Sequence, residues 1–137
     1  MQNKRSLHVI EVDSNAISEF VDVTKRVSEL VRQSGIKNGI CHLYVPHTTA
    51  AVTINENADP DVISDILLGL DDIVRGDLVY EHEEGNSTAH IKSSMIGISK
   101  HVFIEDEKLL LGTWQGIYFC EFDGPRQRKL YVKLVAD

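Results

Sequence analysis

Residues 39–62 read GICHLYVPHTTAAVTINENADPDV. GICHLYV (39–45) and AAVTIN (50–55) read as two strands, and Pro46 between them predicts a bend or bulge. Asp59 followed by Pro60 predicts a helix start: a side-chain cap, then a residue whose φ already suits the first turn. Val62, Ile63, Ile66, Leu67, Leu70 and Ile73 then share one apolar face, and Gly76 closes the segment. Within this strand–strand–helix unit sit His47, Thr48, Thr49, Asn55, Glu56 and Asn57. That is more hydrogen-bonding chemistry than a packing element needs. Asp59 is accounted for by capping alone, and Asn55 and Asn57 are equally suited to satisfying turn backbone.

Working outward, SLHVIEV (6–12) and AISEFVDV (16–23) alternate as strands around a DSN turn. Thr24 is suited to cap a helix carrying Val27, Leu30 and Val31 and ended by Gly35. LVYEHEEGNSTAH (78–90) starts as a strand and breaks at Gly85-Asn86. Ser87 is placed to cap a short helix over 88–96, closed by Gly97. SKHVFIE, then LLLGTWQGIYFCEF with a break at Gly112 or Gly116, then KLYVKLV read as strands. In the last, Leu130, Val132 and Leu134 face one way, Tyr131 and Lys133 the other. This order is α+β with a mainly antiparallel or mixed sheet, not the regular alternation of a doubly wound fold. The 137 residues fit one domain with its own core.

Composition narrows the function classes. The net charge of −7 argues against nucleic acid or a membrane surface as partner. No apolar run suits a bilayer span or a secretory leader, so a cytoplasmic protein is expected. Cys41 and Cys120 lie far apart in apolar stretches and read as buried, reduced thiols. No glycine-rich phosphate loop occurs, so no nucleotide cofactor is expected.

Among the six histidines, His8, His42 and His101 fall inside strands and read as structural or solvent-facing. His47, His82 and His90 sit at element ends, where scaffolds place functional groups. His90 would stand in the first turn of its helix, with Lys92, Ser93 and Ser94 after it, in a setting that favours an anion. The three imidazoles with Glu56 are also a possible ligand set for a divalent metal, zinc or magnesium, although no HExxH spacing occurs. Imidazole acid–base chemistry is the competing use. Trp114 with Gln115 suits either a wall for a flat ligand or, more plainly, the core. Arg126 and Arg128, two apart, would form a phosphate clamp if both lie on a strand and solvated surface charges if they lie in a loop.

Three motifs together, HTTAAVTINENADPDV (47–62), HEEGNSTAHIKSSMIG (82–97) and LGTWQGIYFCEFDGPRQR (111–128), closely resemble the YjbQ family, in order, from about residue 5 to 135. Some of its members are labelled secondary thiamine-phosphate synthase. The resemblance implies a compact α+β domain with a β-sandwich-like core and a homotrimer with polar pockets near subunit contacts. It points to His47, Thr48, Thr49, Asn55, Glu56, Asn57, His82, Asn86, His90, Ser94, Trp114, Gln115, Glu121, Asp123, Arg126 and Arg128 as the polar set. It further implies a transferase joining a pyrimidine methyl diphosphate to a thiazole phosphate. Lys92, Arg126, Arg128 and magnesium would then hold the leaving diphosphate, and His82 or His90 would protonate or orient phosphates. Trp114 and Gln115 would hold a ring, and Glu56 would bind metal or accept a proton. Two alternatives stand beside it: a metal-dependent hydrolase of phosphorylated or cyclic metabolites, and a trimeric ligand-binding module without turnover. All of these readings expect His47 to Glu56 to form one wall of a pocket, and His82 with His90 another.

Overall fold

A computed structural model describes residues 6–137. Strands β1 (Leu7–Asp13), β3 (Gly39–Tyr44), β5 (Ser99–Glu105), β6 (Lys108–Leu109) and β8 (Gln127–Ala136) form one sheet in the order β1-β8-β3-β5-β6. Strands β2 (Glu19–Asp22), β4 (Ala50–Glu56) and β7 (Gln115–Glu121) form a second, in the order β2-β7-β4. Every strand pairing is antiparallel.

The two sheets face each other across one core. Ile10, Val12, Cys41, Leu43, Leu130, Val132 and Leu134 come from the larger sheet, and Val52, Ile117 and Phe119 from the smaller. Alternation does this work: Leu130, Val132 and Leu134 point inward while Lys129 and Lys133 stay exposed, as the period of two requires. Helix α1 (Thr24–Ser34) adds Val27 and Val31 to the same core and ends on Gly35, whose φ of 71° is the left-handed cap glycine supplies cheaply. Thr24 is not its cap. It is the first helical residue, and its hydroxyl donates to Asp22 Oδ1 (2.6 Å) and accepts from the Ile117 N–H (2.8 Å).

Helices α2 (Pro60–Ile73) and α3 (Ser87–Ile96) cover the other face of the small sheet, where Leu70, Ile66, Ala89 and Ile96 meet Ala51, Cys120 and Phe122. The Asp59-Pro60 start forms as expected, with Asp59 accepting from the Asp61 N–H (2.9 Å). The apolar face of α2 is narrower than the sequence suggested, for Ile73 is exposed. Helix α3 begins one residue earlier than expected, with Asn86 rather than Ser87 in the cap position. Its inward face is Ala89, Lys92 and Ser93, and Ser93 Oγ donates to the Ala50 carbonyl (2.6 Å). Among the described residues, the five-stranded sheet has no such cover. Leu7, Val9, Tyr44, Phe103 and Val135 stand exposed on its outer face.

Residues 78–82, expected to start as a strand, are irregular. They have the composition of a strand but, among the described residues, pair with no other strand, and a lone extended segment leaves its backbone hydrogen bonds to water. Trp114 is not in the core. It is 63% exposed, in the turn before β7. Cys41 and Cys120 are buried free thiols, as expected; burial pushes the Cys41 pKa up to about 12 and that of Cys120 up as well.

Candidate functional site

The chain bends after β3 and returns as β4. That bend carries His47, Thr48 and Thr49 to one end of the sandwich, beside the start of β8. Here Arg128 and Glu121 are both buried, at 3% and 0% side-chain exposure. Arg128 Nε donates to Glu121 Oε1 and Oε2 (2.9 and 3.1 Å), and Nη2 donates to Glu121 Oε2 and to Thr49 Oγ1 (2.8 Å) and its carbonyl (3.2 Å). Ser14 Oγ donates to Glu121 Oε1 (2.6 Å), and the backbone N–H groups of Phe122 and Asp123 donate to Oε2 (3.1 and 3.0 Å). A buried charge pair is tolerable only when its remaining polar valences are filled this way. Burial alone would raise the Glu121 pKa, but the Arg128 and Ser14 hydrogen bonds outweigh it and hold the carboxyl below its usual range.

His47 sits directly outside this pair. Its Nε2 accepts the backbone N–H of Lys129 (2.9 Å). Partial burial, and then the Arg128 charge, hold its pKa below the ordinary imidazole value. A cavity of about 370 Å³ opens here, lined by Glu11, His47, Gln127, Arg128, Lys129 and Tyr131, with Pro46 at its side.

His82 and His90 lie elsewhere. Their rings meet edge to face with centroids 5.4 Å apart. They line a cleft of about 420 Å³ with Tyr80, Ser87 and Ile91. This cleft and the His47 cavity have no lining residue in common. Glu84 Oε2 comes within 3.9 Å of His82 Nε2. The head of α3 carries no acidic residue in its first turn and no side-chain cap; Asn86 donates instead to Asp123 Oδ2 (2.9 Å). Asn86 Oδ1 is the one buried side-chain polar atom among the described residues with no partner.

The single pocket expected from the sequence is therefore not present within one chain. His47 does not join His82 and His90, and among the described residues no three His, Cys, Asp or Glu side chains gather as a metal would need. His47 Nε2 is also engaged by the Lys129 N–H, and a neutral ring that accepts there carries its proton on Nδ1, leaving no free lone pair for a metal. Glu56 is separated from His47 by the length of β4, about 20 Å at about 3.3 Å per residue. The His47-to-Glu56 stretch is thus a strand's two ends, not one wall.

The other expected residues take structural positions. Thr48 is exposed, and Thr49 is turned inward to Arg128. Asn55 Oδ1 accepts from the Glu56 N–H (2.7 Å). The Asn57 N–H donates to the Trp114 carbonyl (2.9 Å), and its side chain lies so close over Gly116 that a Cβ there would collide with it. Lys92 is buried and ion-paired with Asp71. Ser94 Oγ donates back to the His90 carbonyl (2.9 Å). Gln115 Oε1 closes its own turn by accepting from the Gly112 N–H (2.8 Å). Arg126 and Arg128 form no clamp: β8 begins at Gln127, so Arg126 stays in the loop and donates to the Asp123 carbonyl (2.8 Å) and to Asp123 Oδ2 (3.1 Å).

Several residues that shape these sites were not singled out from sequence: Ser14 read as part of a turn, and Glu11 and Tyr131 as strand positions. Gln127 read as a turn residue, and with Lys129 it belongs to the basic cluster RQRK (126–129), which read as able to hold a few phosphates. The alternation of β8 already put Lys129 and Tyr131 on one face; what sequence lacked was that this face meets the bend at Pro46.

The match to known proteins is now specific. A family model described as UPF0047 protein YjbQ-like covers residues 8–137. The chain belongs to the YjbQ family. The UPF0047 protein MJ1081 of Methanocaldococcus jannaschii is 49% identical, over 97% of this chain and 96% of that one. YugU of Bacillus subtilis is 47% identical, over 95% of this chain and 99% of that one. A YjbQ/UPF0047-family crystal structure from Clostridium acetobutylicum superposes with a TM-score of 0.91 at 50% identity, covering 93% of this chain and 99% of that one. A second, from Sulfolobus solfataricus, has a TM-score of 0.92 at 34% identity, covers 96% of each chain, and is described as a protein of unknown function.

These YjbQ relatives correct the functional expectation. They are named as uncharacterised UPF0047 proteins or as proteins of unknown function, and nothing in them supports thiamine phosphate synthesis. The synthase assignment does not stand. The hydrolase reading loses its basis as well, since the histidine-held metal it needs has no ligand set among the described residues.

Proposed function

We propose that this YjbQ protein binds a small phosphorylated metabolite in the cleft under His82 and His90 and carries out imidazole acid–base chemistry on it. The observation that carries this reading is the edge-to-face contact of the two rings at the head of α3. Two imidazoles this close can divide a proton transfer, one accepting while the other donates. The first turn of α3 contains no acidic residue of its own, and its N–H groups, that of Ser87 among them, suit a phosphate oxygen. Tyr80 and Ile91 supply the less polar wall.

The test is a pool of phosphorylated metabolites incubated with the purified protein and followed by mass spectrometry. A consumed compound whose turnover disappears in His90→Ala and in His82→Ala, with melting temperature unchanged, supports the reading. Turnover at the parent's rate in both variants would falsify it.

Two further expectations belong to the same proposal. The protein works as a homotrimer, a state supported by the uncovered apolar residues on the five-stranded sheet, since bare patches of this kind mark contact surfaces. Light scattering on the parent and on Val9→Glu with Phe103→Glu checks this, a monomeric parent being the contrary result. The protein is cytoplasmic, a setting consistent with two free buried thiols. Among the described residues no helix is long and apolar enough to cross a membrane.

A further inference from the structure

The buried pair at Arg128 leaves one end of the guanidinium unused. Nε and Nη2 are taken up by Glu121 and Thr49. Among the described residues, no group accepts from Nη1. Nor is Nη1 sealed inside the protein, because the one buried, unpartnered side-chain atom is Asn86 Oδ1. Arg128 lines the cavity around His47, and Nη1 is the unpaired end of its guanidinium. A charged donor left without an acceptor is costly, more so beside a low-dielectric interior, and such groups are found paired.

His47 contributes a second donor, and its direction is fixed. A backbone N–H cannot accept, so the bond from Lys129 makes Nε2 the acceptor and puts the ring proton of the neutral form on Nδ1. The ring is therefore held as a donor tautomer and not as a base. Around it stand Lys129, whose ammonium has no ion pair among the described residues, the Gln127 amide and the Tyr131 hydroxyl. Glu11 is the only carboxylate of the lining, and it lies across the strand from Lys129.

We propose that this cavity is a receptor for a small oxyanion, a carboxylate or phosphate group, whose oxygens accept from Arg128 Nη1 and His47 Nδ1. Glu121 orients the guanidinium from behind through paired hydrogen bonds, so the arginine meets its ligand already held in place and loses little freedom on binding. At about 370 Å³ the cavity has room for the oxyanion and a small organic body. This site is independent of the His82–His90 cleft and does not rest on its proposed chemistry.

The experiment is ¹H–¹⁵N NMR of the intact protein, titrated with inorganic phosphate and, separately, with acetate. Saturable shifts of the Lys129 amide and the His47 ring are expected with at least one anion, with the ring remaining in the Nδ1–H form. The tighter of the two tells whether the natural group is a phosphate or a carboxylate. Lys129→Glu keeps the backbone N–H and leaves the Arg128–Glu121 pair alone; it should weaken binding by about tenfold, the worth of one charge-assisted contact. Arg128→Lys should abolish binding if it folds, and Lys129→Glu decides the matter if it does not. Binding unchanged in Lys129→Glu, or no response of His47 and Lys129 to either anion, overturns the proposal. Phosphate that moves only the His82 and His90 rings also overturns it while leaving the other cleft's reading intact. Movement at His47 with His82 and His90 still has the opposite meaning.

Discussion

Arg128 has a side chain only 3% exposed and is tied to Glu121 on the facing sheet and to Thr49, 79 residues away. His82 keeps 45% of its side-chain surface, and its contacts, Glu84 and His90, lie within eight residues of it. One region is fixed by the fold; the other by a loop and the head of a short helix. Rigid placement favours recognition, because donors stay where a ligand needs them. Local, exposed placement suits groups that must exchange protons with solvent and substrate. The contrast suggests where to cut, and how much each cut should cost.

The largest effect is expected from breaking the sealed pair. Glu121→Ala leaves a buried guanidinium without its counter-charge and should cost about 3–5 kcal/mol in urea unfolding. Replacing both partners together, Glu121→Leu with Arg128→Met, should cost markedly less than that single change if desolvation governs the corner. A double variant as unstable as the single one would mean that the hydrogen bonds, not the charges, dominate.

Acid should strike the same corner. Glu121 has a folded pKa below its ordinary value of 4.5, so its contribution is present above that pH and is lost as pH falls through the lower, folded value. His47 is held below 6.5, so the unfolded chain takes up its proton first and stability declines once pH drops under that value. Both shifts act in one direction. Urea midpoints measured from neutral to acid pH should fall, and His47→Gln should flatten the upper part of that curve. A midpoint that rises on acidification would contradict both assignments.

A smaller loss is expected at a helix end away from both sites. Asp59→Ala removes the cap on α2 and should cost about 1 kcal/mol, read from the same titration. Least of all should come from the exposed cleft. His82→Ala and His90→Ala should each change stability by roughly 0.5 kcal/mol or less. A loss of several times that would show the ring contact to be structural and would remove the contrast between the two regions.

The sequence was most legible where local pattern and partner agree. Alternation located the inward residues of β8, and Asp59-Pro60 located the start of α2, because each depends on a few adjacent residues. Legibility failed where a distant partner decides. Residues 78–82 have a strand's composition and no strand to pair with. Trp114 is apolar enough for the core, but its turn holds it outside. Arg126 and Arg128 share a parity, yet β8 starts between them, so one is bound into a loop and the other into the interior. The three histidines looked equivalent because each lies at an element end; which end of the sandwich each end belongs to is a property of topology alone. Glu121 belonged to the motif resemblance, but its pairing with Ser14, 107 residues away, could not be read from either neighbourhood.

That last contact bears on how the protein is made. The Arg128 corner draws on Ser14, Thr49, Glu121 and Arg128, and the last of these lies in β8, which is made after the segments that carry the other three. Until then Glu121 has its serine but not its cation, and the first strand lacks the neighbour it zips against. A chain that has not yet added β8 therefore holds the acid of this corner without the base that neutralises it.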